Sequence, residues 1–119
     1  MTEPYEIAQQ LRRDGDDGPG TWVIGLSGEF DITAREELAE VLRARVADAG
    51  AAGVTVDLDA TTFFDSEAMA ALIEGYNAAR AAGKPFGIVN PHGVIERSLH
   101  IAGLFDLPGL DLPGLGPTG

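Results

Sequence analysis

The stretch most suited to chemistry is FFDSEAMAAL, residues 63–72, in which Ser66 stands between Asp65 and Glu67. The stretch begins as an apolar, strand-like run and continues with a helical pattern, so the hydroxyl falls at a predicted helix start. A serine at that position accepts a hydrogen bond from one of the unpaired backbone N–H groups of the first turn. The residue types alone therefore favour a helix cap.

A phosphate on Ser66 is the chemical alternative that this position allows. The positive end of the helix macrodipole and the free N–H groups stabilise an anion there. Phosphorylation adds about −1.5 to −2 charges and three acceptor oxygens. Asp65 and Glu67 already bracket the serine, so a phosphate would concentrate negative charge on one patch and repel a partner docked against it. The residue types favour the cap and do not exclude the switch.

Other reactive side chains form weaker patterns. His92 and His100 are not joined by any cysteine or fixed carboxylate spacing into a metal motif, so we predict no metal and no cofactor. Ser66 lacks the Gly-x-Ser-x-Gly elbow of hydrolases, and we predict no catalytic residue. Asp57 and Asp59 lie at the end of a predicted strand, where receiver domains hold magnesium and accept phosphate on aspartate. A solvated strand face is the simpler interpretation of this pair.

The composition limits the class of protein. The 119 residues suit a single domain, and 45% of them are hydrophobic, which is ample for one core. The net charge of −11 opposes the phosphate backbone of nucleic acids, so nucleic-acid binding is not expected. No apolar run reaches the roughly 18 residues that span a bilayer, and the N-terminus has no export signal. These features predict a cytoplasmic protein without membrane insertion.

Hydrophobic periodicity predicts the elements around this stretch. Two strands come first, YEIAQQL and TWVIGLSGEFD, paired antiparallel across a turn-rich loop. Helix, strand, helix, strand and helix follow, with links short enough to favour a mixed α/β sheet. Thr33 and Glu36 have capping-box spacing, which predicts that the first helix begins at Thr33, and Gly50 is its predicted stop.

The third strand, VTVDLDA, alternates, with Val54, Val56 and Leu58 on one face and polar residues on the other. A half-polar strand predicts that the helices lie mainly on one face of the sheet. We therefore predict an α/β fold, with a mixed sheet of four to five strands in a single domain. The opposite face would meet solvent or a partner.

The second helix is predicted to begin near Ser66 and to end near Gly83. Its predicted outward side is lined by small residues, which suits the close approach of a partner helix but is more typical of an ordinary helix surface. These residues are Ala70, Ala71, Ala78 and Ala81.

The end of the chain repeats DLPGL at residues 106–110 and 111–115. Proline removes a backbone donor and glycine loosens the chain, so the repeat predicts an extended tail rather than a core strand. The predicted division is a domain over residues 1–106 and a Pro/Gly-rich tail over residues 107–119.

Three segments resemble the STAS domain, the anti-sigma-factor antagonist family, in order and spacing: LSGEFDITA, VTVDLDATTFFDSEAMAAL and GKPFGIVNPHGVIERSLHIAGLFD. The family has a Gly-Glu-apolar-Asp turn, which here ends in Asp31, and an Asp-Ser pair, filled by Asp65 and Ser66. The resemblance implies that Ser66 is the serine phosphorylated by a partner kinase and that Asp31 lies close to it. We expect the partner-binding surface to include Asp31, Asp65, Ser66, Glu67 and Ala70.

The resemblance implies a binding module that regulates transcription, rather than an enzyme. In such systems the unmodified antagonist binds an anti-sigma factor, a serine kinase of the histidine-kinase-type ATPase fold, and frees the sigma factor. Phosphorylation breaks that complex, and a serine phosphatase can restore it. Typical members read Asp-Ser-Ser/Thr-Gly-Leu, whereas Glu67, Ala68 and Met69 follow Ser66 here. A permanent charge at Glu67 would mimic part of the modified state or alter recognition by the kinase.

Two alternatives stay open at this point. A STAS-type accessory subunit of a transporter ATPase would dock permanently through the same surface, with no role for a phosphate. An aspartyl-phosphate receiver would carry the phosphate on Asp57 or Asp59 instead.

Overall fold

The computed structural model describes residues 4–13, 15 and 18–112. Within these residues the chain forms six strands, three α-helices and one short 3-10 turn at Leu104–Asp106. The strands are β1 (Tyr5–Arg13), β2 (Gly20–Phe30), β3 (Ala51–Asp57), β4 (Thr61–Phe64), β5 (Phe86–Val89) and β6 (Leu110–Asp111). The helices are α1 (Ile32–Ala47), α2 (Ser66–Ala82) and α3 (Gly93–Ile101), and none of these three is long and apolar enough to cross a bilayer.

The sheet is mixed, with β1 and β2 antiparallel and the other described pairs parallel. The strand order is β1-β2-β3-β5-β6, and β4 pairs with the second half of β2. The predicted α/β class, the mixed sheet and the antiparallel first pair are confirmed. The described sheet has six strands rather than the predicted four to five, and the two short strands β4 and β6 are the additional ones.

The core lies between one face of the sheet and the three helices. Ile24, Val54 and Val56 are at most 1% exposed and belong to one cluster with the inward side chains of the helices. Thr55 and Asp57, on the other face of β3, are only half-buried. The alternation of β3 therefore separates a helix-covered face from an open one, as predicted.

The N-cap of the first helix is Asp31, two residues before the predicted cap Thr33, and the helix itself begins at Ile32. The Asp31 carboxylate accepts the backbone N–H of Thr33 at 2.9 Å and also the Thr33 hydroxyl. Aspartate is the better cap of the two, and its charge complements the positive end of the helix. The threonine hydroxyl is thus a donor in this turn, not the acceptor that the capping-box spacing predicts.

A lysine from beyond the next helix closes the C-terminus of α1. The Lys84 ammonium donates to the carbonyls of Val46 at 2.7 Å and Asp48 at 2.8 Å. The last carbonyls of a helix have no partner within it, so a cation here supplies donors and complements the negative end of the dipole. The helix ends at Ala47, before the predicted stop at Gly50, which lies in the turn to β3.

The second helix packs so closely on α1 that one residue predicted to face outward is buried. Ala71 is 0% exposed, whereas Ala70 is half-buried and Ala81 is exposed. The prediction is wrong for Ala71 because this residue lies one turn before Gly75, on the side of α2 that touches α1. The helix ends as predicted, at Gly83, which takes the left-handed conformation with φ of 70°.

Residues 107–112, which the Pro/Gly pattern assigns to the tail, fold back on the sheet. The Pro108 carbonyl accepts from the Tyr76 hydroxyl and, at 2.7 Å, from Arg80. Leu110–Asp111 then form β6 beside β5. Most of the second DLPGL copy lies outside the described residues, so the boundary at residue 106 stays a prediction.

Gly75 allows a direct test of the packing between α1 and α2. A Cβ at this position would lie 2.8 Å from Leu42 Cδ1 and 2.9 Å from Leu42 Cβ, so Gly75→Ala forces the helices apart. Overpacking costs about 1–3 kcal/mol, and the better helix propensity of alanine offsets up to about 1 kcal/mol. We expect urea unfolding to show a net loss of roughly 1 kcal/mol.

Asn77→Ala is the matched control, because Asn77 is exposed on the same helix and its replacement gains propensity without a clash. This variant should be slightly more stable than the parent. A Gly75→Ala protein that also gains stability would contradict the close packing.

Candidate functional site

The neighbouring strands β2 and β4 end at the same level, and an aspartate of the site follows each of them. In the parallel pair of β2 and β4, Phe30 is opposite Phe64, and the backbone N–H of Asp65 donates to the Phe30 carbonyl at 3.2 Å. Asp31 and Asp65 are the next residues along the two strands. The register therefore places the two aspartates side by side, although α1 and β3 separate them in the sequence.

Ser66 is the first residue of α2 and not its cap. The cap is Asp65, whose Oδ1 accepts the backbone N–H groups of Glu67 and Ala68, each at 3.0 Å. Asp65 takes this role because its extended backbone, with φ of −97° and ψ of −173°, directs the carboxylate at those donors. The Ser66 side chain is exposed, and its hydroxyl makes no hydrogen bond to any described residue. The predicted capping role of the serine is thus wrong, and its hydroxyl is left free.

Asp31 completes this group from the neighbouring turn. The Thr33 hydroxyl, and then the Thr33 backbone N–H, hold the pKa of Asp31 below its ordinary value, because both donate to the charged form. The carboxylate is therefore ionised at neutral pH. We refer to Asp31, Asp65, Ser66 and Glu67 as the switch edge.

Glu67 is held by a cation from α1. Its carboxylate forms a salt bridge with the Arg35 guanidinium, and the two side chains are 36% and 45% exposed. Further along the same two helices, Arg43 and Glu74 lie 3.8 Å apart. Arg35, Arg43 and Glu74 line a groove of about 380 Å³ between α1 and α2. The acid that follows Ser66 therefore has a partner on the neighbouring helix.

Exposed apolar side chains flank the switch edge. Ile32, which follows the cap of α1, is 67% exposed, and Phe63, on β4, is 48% exposed. Ala70, one turn after Ser66, is half-buried. Single exposed apolar residues are common, but two of them beside a charged group offer a surface that a partner can cover. Sequence reasoning missed Ile32 and Phe63 because they lie near the ends of elements, where periodicity assigns no face.

The second acidic pair, Asp57 and Asp59, belongs to a turn. Asp57 Oδ1 accepts the backbone N–H of Asp59 and the side-chain amide of Asn90, both at 3.0 Å. Close by, His92 Nε2 lies 3.2 Å from the Leu58 carbonyl. Across the part of the chain that the structure describes, no group of three or more His, Cys, Asp or Glu side chains could hold a metal ion. These contacts favour a turn over the magnesium pocket of a receiver.

Known proteins share this fold. The family model described as "Mlab, STAS domain" matches residues 16–110, whereas no curated protein matches the chain. A crystal structure of an anti-sigma factor antagonist from Mycobacterium paratuberculosis is similar at 28% identity and a TM-score of 0.68, covering 92% of this chain and 88% of that one.

Two further solved structures are less similar in sequence. An RsbS variant from Moorella thermoacetica has 24% identity and a TM-score of 0.67, covering 89% of this chain and 84% of that one. The phosphorylated form of the Bacillus cell fate determinant SpoIIAA has 19% identity and a TM-score of 0.64, covering 91% and 93%. These two similarities show the fold alone.

The different roles of Asp65 and Ser66 can be tested by unfolding. Asp65→Ala removes the acceptor of two first-turn N–H groups and should lower the free energy of unfolding in urea by about 0.5–2 kcal/mol. Ser66→Ala should stay within about 0.5 kcal/mol of the parent. Asp65→Ser keeps an acceptor oxygen and, as the matched control, should retain most of the stability. A larger loss for Ser66→Ala than for Asp65→Ala would return the capping role to the serine.

Asp31 should make stability depend on pH in the acid range. Its folded pKa lies below the ordinary value of 3.8, so its contribution is complete above that value and is lost as the pH falls through the folded pKa. Asp31→Asn keeps the shape of the side chain and cannot ionise, so its urea midpoint should fall less steeply below about pH 4. Parallel acid limbs for the parent and Asp31→Asn would show that the carboxylate charge contributes nothing.

Proposed function

Since this chain belongs to the STAS domain family, we propose that it is an anti-sigma-factor antagonist. It binds a serine-kinase anti-sigma factor while Ser66 is unmodified and is released when Ser66 is phosphorylated. The observation that carries the proposal is the exposed Ser66 hydroxyl, which the Asp65 cap leaves unengaged. A kinase requires a hydroxyl that is accessible and that the fold does not need.

A phosphate at Ser66 would change the surface without changing the fold. The side chain is exposed, and the N-terminal end of α2 stabilises an anion, so the modification needs no repacking. It adds about −1.5 to −2 charges beside Asp31 and Asp65. A docked partner that tolerates two carboxylates then faces a concentrated negative patch, and like charges brought together across an interface strongly weaken binding.

The unmodified surface suits a protein partner. Ile32 and Phe63 supply apolar contact area, and Asp31 and Asp65 attract basic groups. Ala70, one turn after Ser66 on α2, has a small side chain that leaves room for the close approach of a partner. The net charge of −11 would also accelerate association with a basic surface. We propose that this partner is an anti-sigma factor of the histidine-kinase-type ATPase fold and that a serine phosphatase resets the switch.

Solved structures support the role. The Mycobacterium paratuberculosis protein carries the name anti-sigma factor antagonist, and SpoIIAA of the same fold has been determined with its phosphate. The first supports partner binding, and the second supports a phosphate on this architecture. We therefore propose that this protein is a binding module and not an enzyme. We propose that it acts in the cytoplasm, because the kinase proposed as its partner uses ATP.

Kinase labelling tests the proposal. Each serine-kinase anti-sigma factor of the source genome is incubated with the protein and ATP, and mass spectrometry locates the phosphate. We expect one phosphate on Ser66 and none in Ser66→Ala. Ser98→Ala, which removes a serine of α3 outside the switch edge, is the control and should be labelled as the parent is. In a binding assay with the same kinase, Ser66→Asp should bind at least roughly tenfold more weakly than Ser66→Ala.

Three results would overturn this assignment. Absence of label with all of these kinases would remove the phosphorylation step. Copurification with a transporter ATPase that Ser66→Asp leaves unchanged would select the accessory subunit. Labelling by acetyl phosphate in magnesium, lost in Asp57→Asn or Asp59→Asn, would select the receiver.

A further inference from the structure

The acid that follows Ser66 is tied to the neighbouring helix. The Glu67 carboxylate forms a salt bridge with the Arg35 guanidinium, while the Glu67 backbone N–H donates to Asp65. The pair joins the first turn of α1 to the first turn of α2. A phosphate on Ser66 would therefore arise next to an arginine whose present partner is a carboxylate.

A phosphate attracts a guanidinium more strongly than a carboxylate does. It carries about −1.5 to −2 charges, against −1, and it accepts paired hydrogen bonds from the planar guanidinium. Exposed ion pairs are weak because water screens them, and the side chains of Arg35 and Glu67 are 45% and 36% exposed. The existing pair is thus easily exchanged.

The exchange moves the guanidinium from one residue in the first turn of α2 to the residue before it. Ser66 and Glu67 are consecutive residues, whose Cα atoms lie about 3.8 Å apart, and the arginine side chain is long and flexible. The backbones of α1 and α2 can stay in place. Asp31 and Asp65 are fixed anions nearby, held by their capping hydrogen bonds, so a phosphate at this edge gains from a cation that neutralises it.

We propose that Arg35 is the internal counter-ion of phosphorylated Ser66. On modification, the guanidinium leaves the Glu67 carboxylate for the phosphate, and Glu67 becomes an unpaired carboxylate at the switch edge. This inference rests on the proposed phosphorylation of Ser66. It gives a role to Glu67, where the chain departs from the family pattern. The phosphate is held close to the fold by Arg35, and the docking surface gains the unpaired Glu67 carboxylate beside the phosphate.

Phosphoserine incorporated in place of Ser66 during translation tests the exchange without a kinase. NMR of the arginine side chains reports the surroundings of Arg35 Nε, and ³¹P NMR gives the second pKa of the phosphate. We expect the Arg35 Nε–H signal to move when the phosphate is present. The phosphate pKa should be lower in the parent than in Arg35→Gln, because a nearby cation stabilises the dianion. Arg35→Lys keeps the charge and should retain part of this lowering.

Arg43→Gln is the matched control, since Arg43 lies on the same helix and pairs with Glu74. This variant should leave the phosphate pKa unchanged. Equal phosphate pKa values in the parent and in Arg35→Gln, or an Arg35 signal that phosphoserine does not move, would overturn the exchange. Neither measurement involves a kinase, so failure here is distinguishable from failure to label Ser66.

Discussion

The parallel register between β2 and β4 is the constraint on which the site depends. It places Phe30 opposite Phe64, so that α1 and α2 start from adjacent points on one edge of the sheet. The two phenylalanines are almost fully buried, with ring centroids 6.2 Å apart, and their packing holds this register. A slip of one residue would turn Phe64 outward and move Asp65 away from Asp31. The position of the serine is thus set by the backbone pairing of two strands and by the buried aromatic contact beside it.

The two caps explain how stability and function coexist at this edge. A helix that starts at a sheet edge needs acceptors for its first N–H groups, and a carboxylate supplies them at both starts. If Ser66 were itself the cap, a phosphate would replace the acceptor that holds α2. Because Asp65 takes that role, the hydroxyl can be modified while the first turn keeps its hydrogen bonds. Under the proposed function, the same carboxylates also supply the charge that the partner recognises.

Hydrophobic periodicity was sufficient to predict the long, half-buried elements, but it did not locate the residues at which the helices begin. The alternation of β3 correctly indicated a sheet covered on one face. At both helix starts, however, an aspartate and a hydroxyl residue lie within two positions, and spacing rules accept either as the cap. Asp31 and Asp65 are the caps because their backbone is extended. This conformation results from strand pairing, which the sequence pattern does not show. The proximity of the two aspartates depends on the pairing of β4 with β2, and hydrophobic periodicity gives no information on which strands pair.

The distribution of cations explains why a phosphate would have so large an effect on this surface. The chain has 8 lysine and arginine residues against 19 acids. Several of the cations are engaged within the fold: Arg45 lies over Trp22, Arg80 binds the Pro108 carbonyl, and Lys84 closes α1. A cation committed to such contacts does not neutralise charge elsewhere, so the switch edge is anionic apart from the salt bridge to Glu67. Basic groups on the proposed partner would complement this edge, and association that depends on complementary charge is the kind that added negative charge most readily disrupts.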